Sequence, residues 1–278
     1  MAPKEPIPSK SPRRRRREEL RREQAAGGSR PPGSRPPGSR QSRRLSPPKR
    51  PVWQSPTAIV TALAVIATIV LIVVVNSRHS TPTTPSALIP PANPVAASIP
   101  RDGATLGATG APVTMDAWED YQCPYCDDWT EQWEPHVITD FVATGIVKYQ
   151  FHDYAFIGSG HTPDESLLAA VAAQCAGDQG KFWEYHGWLY ANQNPNGENQ
   201  GWFTATKLDA IAQKVGLDQS AFDTCRANPA RSTAVIAERT AGTALGITGT
   251  PAIFVNGKQV SLTTYDALAA TIRSLAPA

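Results

Sequence analysis

Cys123 and Cys126 stand three positions apart in the run Asp120-Tyr121-Gln122-Cys123-Pro124-Tyr125-Cys126. Two thiols at that spacing can carry dithiol–disulfide exchange, with one sulfur attacking and the other resolving. A CxxC can also be half of a zinc site, but zinc needs about four ligands, usually from a second Cys/His pair. The other two cysteines, Cys175 and Cys225, are isolated, and no second CxxC or HxxxH pair accompanies them. No metal is therefore expected. A purely structural bridge across the CxxC would close too short a loop to restrict the unfolded chain much. Redox exchange is the reading these residues favour.

The flanking elements must expose one sulfur and shield the other. Ala111 to Trp118 reads as a strand that ends at the CxxC, and Pro124 to Phe141 as a helix bent near Pro135. Pro124 then falls at the first helical position, where its missing N–H costs nothing. That places Cys123 at or next to the N-cap, where orphan N–H groups and the helix dipole favour a thiolate. Cys126 lies about one turn further in. Gly145 to His152 reads as a second strand, which completes a β–α–β unit. Helical segments follow at about 163–176, 180–193, 205–215 and 219–227, then a long helix from Pro229 to about Leu245. Ala252 to Val260 reads as a hairpin turning at Asn256-Gly257, and 264–275 as a closing helix. The fold class is α/β, with a helical insertion at about 160–228 splitting a domain of about 105–278.

The other chemically informative stretch is Gly246-Ile-Thr-Gly-Thr250-Pro251. Alone, Pro251 would be an ordinary trans proline opening a strand. Beside a strand–CxxC–helix it is expected to be cis, offering the Thr250 backbone to an incoming peptide.

Three stretches together resemble the DsbA family, and within it the membrane-anchored members. They are Trp118-Glu-Asp-Tyr-Gln-Cys-Pro-Tyr-Cys126, Gly180-Lys-Phe-Trp-Glu-Tyr-His186, and Gly246 to Pro251 with Val255-Asn-Gly257. The resemblance covers about 110–276. It implies a thioredoxin-like fold with an inserted helical subdomain. Cys123 would be the exposed nucleophile, Cys126 the resolving thiol, and Pro124-Tyr125 the active-site turn. Thr250 and Pro251 would be the substrate-binding pair facing the sulfurs. The implied activity is disulfide formation in exported proteins that carry free thiols, with a membrane redox partner to reoxidise the pair and no cofactor. Isomerase or reductase action is the alternative within the class, and a non-enzymatic peptide-binding module the alternative outside it. One departure stands out. Many members have a buried acid six positions before the first cysteine, and here that position is Ala117. Asp116, Glu119 and Asp120 lie close by, and the sequence does not choose among them. Pro124-Tyr125 also supplies no basic residue, so thiolate stabilisation at Cys123 rests on the helix terminus. That makes the pair less oxidising than in members with His in the turn.

Cys175 and Cys225 fall in the insertion, fifty positions apart. In an oxidising compartment they are expected to pair, and closing such a loop is worth ~4 kcal/mol if unstrained. Two unrelated buried thiols are the alternative. His152, His161 and His186 sit near aromatic residues and read as packing or surface groups. Phe182, Trp183, Tyr185 and Trp188 read as core of the insertion rather than a peptide-binding surface.

Charge divides the chain. Residues 1–50 hold sixteen Lys and Arg against four Glu, a net +12, and the rest of the chain carries a net −9. No charge occurs from Pro51 to Asn76. Thr57 to Val75 is a nineteen-residue apolar run that would span ~28 Å as a helix, enough to cross a bilayer. It is too long for a cleaved signal peptide and reads as a signal-anchor transmembrane helix. Trp53 suits the interface, and the basic tail, 1–56, stays cytoplasmic. The tail has the composition of a disordered topology signal, and no nucleic acid is expected as a partner. Residues 76–104, rich in Pro, Ser, Thr and Ala, read as a linker; its 24 residues from 77 to 100 would reach ~70 Å when fully extended.

Overall fold

A computed structural model of the chain describes residues 87–277. The basic tail and the apolar run 57–75 lie outside the described residues. Among those described, no helix is long and apolar enough to cross a membrane.

The chain enters through a small hairpin, β1 (Arg101–Asp102) and β2 (Thr105–Leu106), and continues into β3 (Val113–Glu119). Helix α1 (Pro124–Gln132) follows, then α2 (Glu134–Val137) and a π-helical turn, Ile138–Val142. Strand β4 (Val147–Asp153) lies parallel to β3, with Val113 opposite Val147 and Glu119 opposite Asp153. Four inserted helices come next: α3 (Glu165–Gly177), α4 (Phe182–Ala191), α5 (Ala205–Val215) and α6 (Gln219–Ala227). The chain returns through α7 (Pro229–Ala244), strands β5 (Ala252–Val255) and β6 (Lys258–Gln259), and α8 (Tyr265–Leu275). The sheet order is β1-β2-β4-β3-β5-β6, with β3 central and β5 antiparallel to it.

Local chemistry explains most of these boundaries. Asp164, Thr204, Asp218, Asn228 and Thr264 each accept a backbone N–H with their side chains and so cap α3, α5, α6, α7 and α8. Asn256 and Gly257 turn the last hairpin with φ of 47° and 74°, the pair of positive angles that a tight two-residue turn demands. Gly242 is required for a different reason. A Cβ there would lie 2.7 Å from the Tyr154 ring and 3.0 Å from Trp118, so only glycine lets α7 seat against the sheet. Phe182, Trp183 and Tyr185 are buried, and Trp188 packs partly buried against the core.

The structure departs from the sequence reading in three places. The helix expected over 124–141 with a bend near Pro135 is broken outright there, at Trp133, because Pro135 has no N–H to return to the Glu131 carbonyl. That freed carbonyl accepts from Asn93 Nδ2 at 3.3 Å. The hairpin β1–β2 was not anticipated, since two-residue strands are too short to show a period. The linker expected over 76–104 is not a free spacer where it is described. Ile89 exchanges hydrogen bonds of 2.8 Å with the Asn192 side chain, Ile99 is buried, and Leu88, Val95 and Ala104 pack on the core. Isolated apolar residues among prolines gave no periodic signal for that docking.

His152 ties the sheet to α7. Its Nδ1 meets Glu238 at 2.9 Å, its Nε2 meets Asp116 at 3.1 Å, and its ring stacks on Trp118 at 4.4 Å. Burial opposes the charge, but the two carboxylates overcome it and raise the imidazole from its ordinary 6.5 to about 9. A group raised on folding contributes stability that is complete below its unfolded value and is lost as pH rises through the folded one. Stability should therefore fall between about pH 7 and 9, as the charge that binds both carboxylates is lost. Denaturant unfolding across that window will check this. His152→Gln should lower stability below pH 7 and flatten the decline; an unchanged decline would remove His152 as its cause.

Candidate active site

Cys123 is the N-cap of α1, with φ −72° and ψ 120°. No side chain caps the helix, and the Cys123 carbonyl accepts from the N–H groups of Cys126 and Asp127, each at 3.2 Å. Both cysteines are free thiols, so this is the reduced pair. Thr250-Pro251 is cis and lies opposite. Cys123 Sγ donates to the Thr250 carbonyl at 3.4 Å. The Thr250 hydroxyl is buried without a hydrogen-bond partner, a donor in reserve for a thiolate.

The electrostatics separate the two sulfurs. The Cys123 pKa is lowered, first by the hydrogen bond from the Cys126 thiol, then by the Thr250 side chain and the N–H groups of Cys126 and Tyr125, against burial. Burial pushes Cys126 well up, as do the neighbouring Cys123 and Glu119. Cys123 is thus the sulfur suited to attack and Cys126 the one that holds a proton.

A family model described as thioredoxin matches residues 101–274. Disulfide bond formation protein D of Bacillus subtilis (strain 168) is 31% identical over 180 residues, which cover 60% of this chain and 74% of that protein. The chain is a DsbA-type member of the thioredoxin family. The crystal structure of oxidised BdbD from Bacillus subtilis is similar to this oxidoreductase with a TM-score of 0.56 and 26% identity, over 66% of this chain and 98% of that one. Reduced DsbA from Mycobacterium tuberculosis shares the fold, with a TM-score of 0.52 and 20% identity over 63% and 92% of the two chains.

Two expectations for this DsbA-type site change. Cys123 is not exposed: only 4% of it reaches solvent, because the Thr250-Pro251 loop closes over the sulfur. Its pKa is set first by Cys126, not by the helix terminus alone. Tyr125 in the turn is the exposed member, at 57%. Cys175 and Cys225 form a disulfide between α3 and α6, with Cα atoms 5.7 Å apart.

The structure also separates the three acids near the missing one. Asp116 is engaged with His152. Asp120 is a clamp: Oδ1 accepts from the Gln122 N–H and the Ser166 hydroxyl at 2.8 Å each, and Oδ2 from the N–H groups of Phe156 and Ile157 at 2.9 and 3.0 Å. Burial raises it to about 6 in spite of those bonds. Glu119 is the one that bears on the sulfurs. It accepts from Tyr190 at 2.9 Å and Tyr149 at 3.3 Å, and is pushed well up by burial, then by Glu134.

The insertion positions the segment before the cysteines, which sequence reasoning missed. Gln193 Nε2 donates to the carbonyls of Tyr121 and Cys123 at 2.7 and 2.9 Å. Gln122 joins Ser166 at 2.8 Å, and its Oε1 accepts from the Asn199 N–H at 2.7 Å. Single polar residues scattered over seventy positions leave no motif to find. Tyr154 donates to the Ile247 carbonyl at 2.8 Å and so steadies the loop that carries Pro251. His186 is buried on Tyr121, and His161 is exposed in a loop.

Proposed function

We propose that this disulfide oxidoreductase works as an oxidase, held outside a membrane by residues 57–75 with the basic tail, 1–56, inside. What carries the oxidase direction is the set of hydrogen bonds that lower the Cys123 pKa. They stabilise the reduced form, and a pair whose reduced form is stabilised is an oxidant when joined. A substrate thiolate attacks Cys123 Sγ, the Cys123–Cys126 bond breaks, and Cys126 leaves with the electron pair. Burial raises the Glu119 pKa, which makes its carboxyl the candidate donor of that sulfur's proton. The substrate's second thiolate then attacks the mixed disulfide and expels Cys123. The substrate has lost two electrons and the protein has gained them. A membrane redox partner restores the disulfide.

Exported proteins with free thiols are the substrates, and Thr250-Pro251 holds their extended segment beside the sulfurs. The Cys175–Cys225 bridge is structural, and the thioredoxin-like domain extends over 105–278. The charge asymmetry on either side of the apolar run supports the orientation.

One experiment tests both parts. Cells expressing the full chain are treated with a membrane-impermeant maleimide, with and without an impermeant phosphine reductant. Cys123 should label only after the reductant, and without lysis. Labelling without reductant would mean a resident dithiol, as in an isomerase or reductase. Labelling only after lysis would place the domain inside.

A further inference from the structure

Two consecutive residues at the end of α4 hold two segments that lie far apart in the chain. Asn192 is the C-cap of α4, and it grips a strap, residues 88–95. Its Oδ1 accepts from the Ile89 N–H at 2.8 Å. Its Nδ2 donates to the Ile89 carbonyl at 2.8 Å and to the Trp188 carbonyl at 2.9 Å. Gln193 grips the active-site turn, donating from Nε2 to the carbonyls of Tyr121 and Cys123 at 2.7 and 2.9 Å. Both residues are buried.

The grip on the strap needs a carboxamide. The side chain of Asn192 pairs with both backbone groups of one residue, as a neighbouring strand would, and a carboxylate lacks the donor for that. Ile89 is 45% exposed, so burial of its side chain contributes little. The strap is addressed through its backbone and steadied further along, where Pro91 meets Gly187 and Asn93 bonds the Glu131 carbonyl. The two grips share one peptide plane. The Asn192 carbonyl accepts from Trp202 Nε1 at 2.7 Å, and the Gln193 N–H donates to the Tyr190 carbonyl at 3.2 Å. The planar unit between the residues is therefore held at both edges. At its far end, the Cys123 carbonyl also accepts the N–H groups of Cys126 and Asp127, which open α1. Gln193 thus holds the N-cap residue by the atom on which the helix starts. After the Cys126 thiol and Thr250, the N–H groups of Cys126 and Tyr125 lower the Cys123 pKa, and they bear on the sulfur only while that N-cap geometry lasts.

We propose that the strap is a positioning segment for Cys123, acting through Asn192 and Gln193. This role presupposes thiol–disulfide exchange at Cys123 but not the oxidase direction. With Ile89 seated, every polar atom of the Asn192 side chain is satisfied and the following residue is fixed. With Ile89 gone, a buried amide is left with an open acceptor and an open donor, and it turns to find other partners. Gln193 moves with it, and its hold on the Cys123 carbonyl loosens. Asn192 and Gln193 act through the backbone of Cys123 and are positioning residues. The strap is also the stretch through which residues 57–75 join the domain, so a domain trimmed to begin at residue 96 would not keep the redox poise of the full chain.

The test uses the full chain and two variants that break the same pairing from opposite sides. Asn192→Asp removes the donor on the domain. Ile89→Pro removes the N–H on the strap and leaves Asn192 and Gln193 in place. Amide hydrogen exchange should find Ile89 protected in the wild type and exchanging freely in Asn192→Asp. Iodoacetamide alkylation against pH should place Cys123 about half a unit higher in both variants, a threefold change in its ionisation constant. The equilibrium with glutathione should move by the same factor towards the protein disulfide, because the reduced form has lost stabilisation. A strap that only supports the fold would lower the melting temperature and leave both readings alone. Ile89→Pro with wild-type alkylation and wild-type glutathione equilibrium would overturn the coupling, whether or not Asn192→Asp folds, and would leave exchange at Cys123 standing. An Ile89 amide that exchanges freely in the wild type would overturn the docking itself. Wild-type protein that does not equilibrate with glutathione would overturn the exchange as well.

Discussion

Cys126→Ala will hold substrates covalently on Cys123, and Cys123→Ala will hold almost none. Cys126 has no exposure and Cys123 has 4%, so of the two sulfurs Cys123 is the one a substrate should meet, and Cys126 the thiol that should release a mixed disulfide from within. Removing either sulfur should cut dithiol oxidation by at least about a thousandfold, as removal of a nucleophile commonly does. The hydrogen bonding adds a finer expectation. The Cys126 thiol is the largest contributor to the lowered Cys123 pKa. In Cys126→Ala that donor is gone, and Cys123 should titrate closer to the free-thiol value of about 8.5. Cys126→Ser keeps a donor and should keep more of the depression. Iodoacetamide alkylation against pH, followed peptide by peptide, measures all three proteins. If Cys126 of the reduced wild type alkylates first, or both cysteines titrate together, the roles are wrongly assigned.

Replacing Cys175 and Cys225 together with Ala should lower stability by about 4 kcal/mol, the loop-closure value for a bridge enclosing some fifty residues. The bridge joins α3 to α6 across the whole insertion. Cys175 is fully buried, so alanine avoids leaving an unpaired hydroxyl there. Denaturant titration with intact Cys123–Cys126 measures the loss. A difference below about 1 kcal/mol would mean that the unfolded chain is not restricted by the bridge as the entropy model assumes. The effect should extend to the active site, because α3 carries Ser166, which bonds both Asp120 and Gln122. Exchange should therefore lose rate at temperatures where the rest of the sheet is still folded.

Legibility in the sequence followed the range of the interactions. The β–α–β unit around Cys123, the boundaries of α5 and α6, and the Asn256-Gly257 turn are set by neighbours in the chain, through caps, proline placement and period. The CxxC and Thr250-Pro251 could be read because each is itself a short motif. What could not be read depends on residues far apart. Gln193 holds carbonyls some seventy positions away, and Asn192 holds a strap a hundred positions before it. The choice of Glu119 over Asp116 and Asp120 was equally hidden. All three precede Cys123 closely, and only the packing of Tyr149, Tyr190, His152 and Ser166 gives each a different task.

The Thr250 carbonyl faces the sulfur whose state changes during exchange. In the reduced protein with Cys123 protonated, it accepts from the Cys123 thiol. Once Cys123 and Cys126 are joined there is no S–H to fill it, and the carbonyl is free for an extended substrate segment. On the proposed function, the same electrons that complete a turnover restore the internal competitor for the docking point. Wherever Cys123 carries its proton, the product is displaced by the thiol it has just created, so below the Cys123 pKa spent protein should be little inhibited by oxidised product.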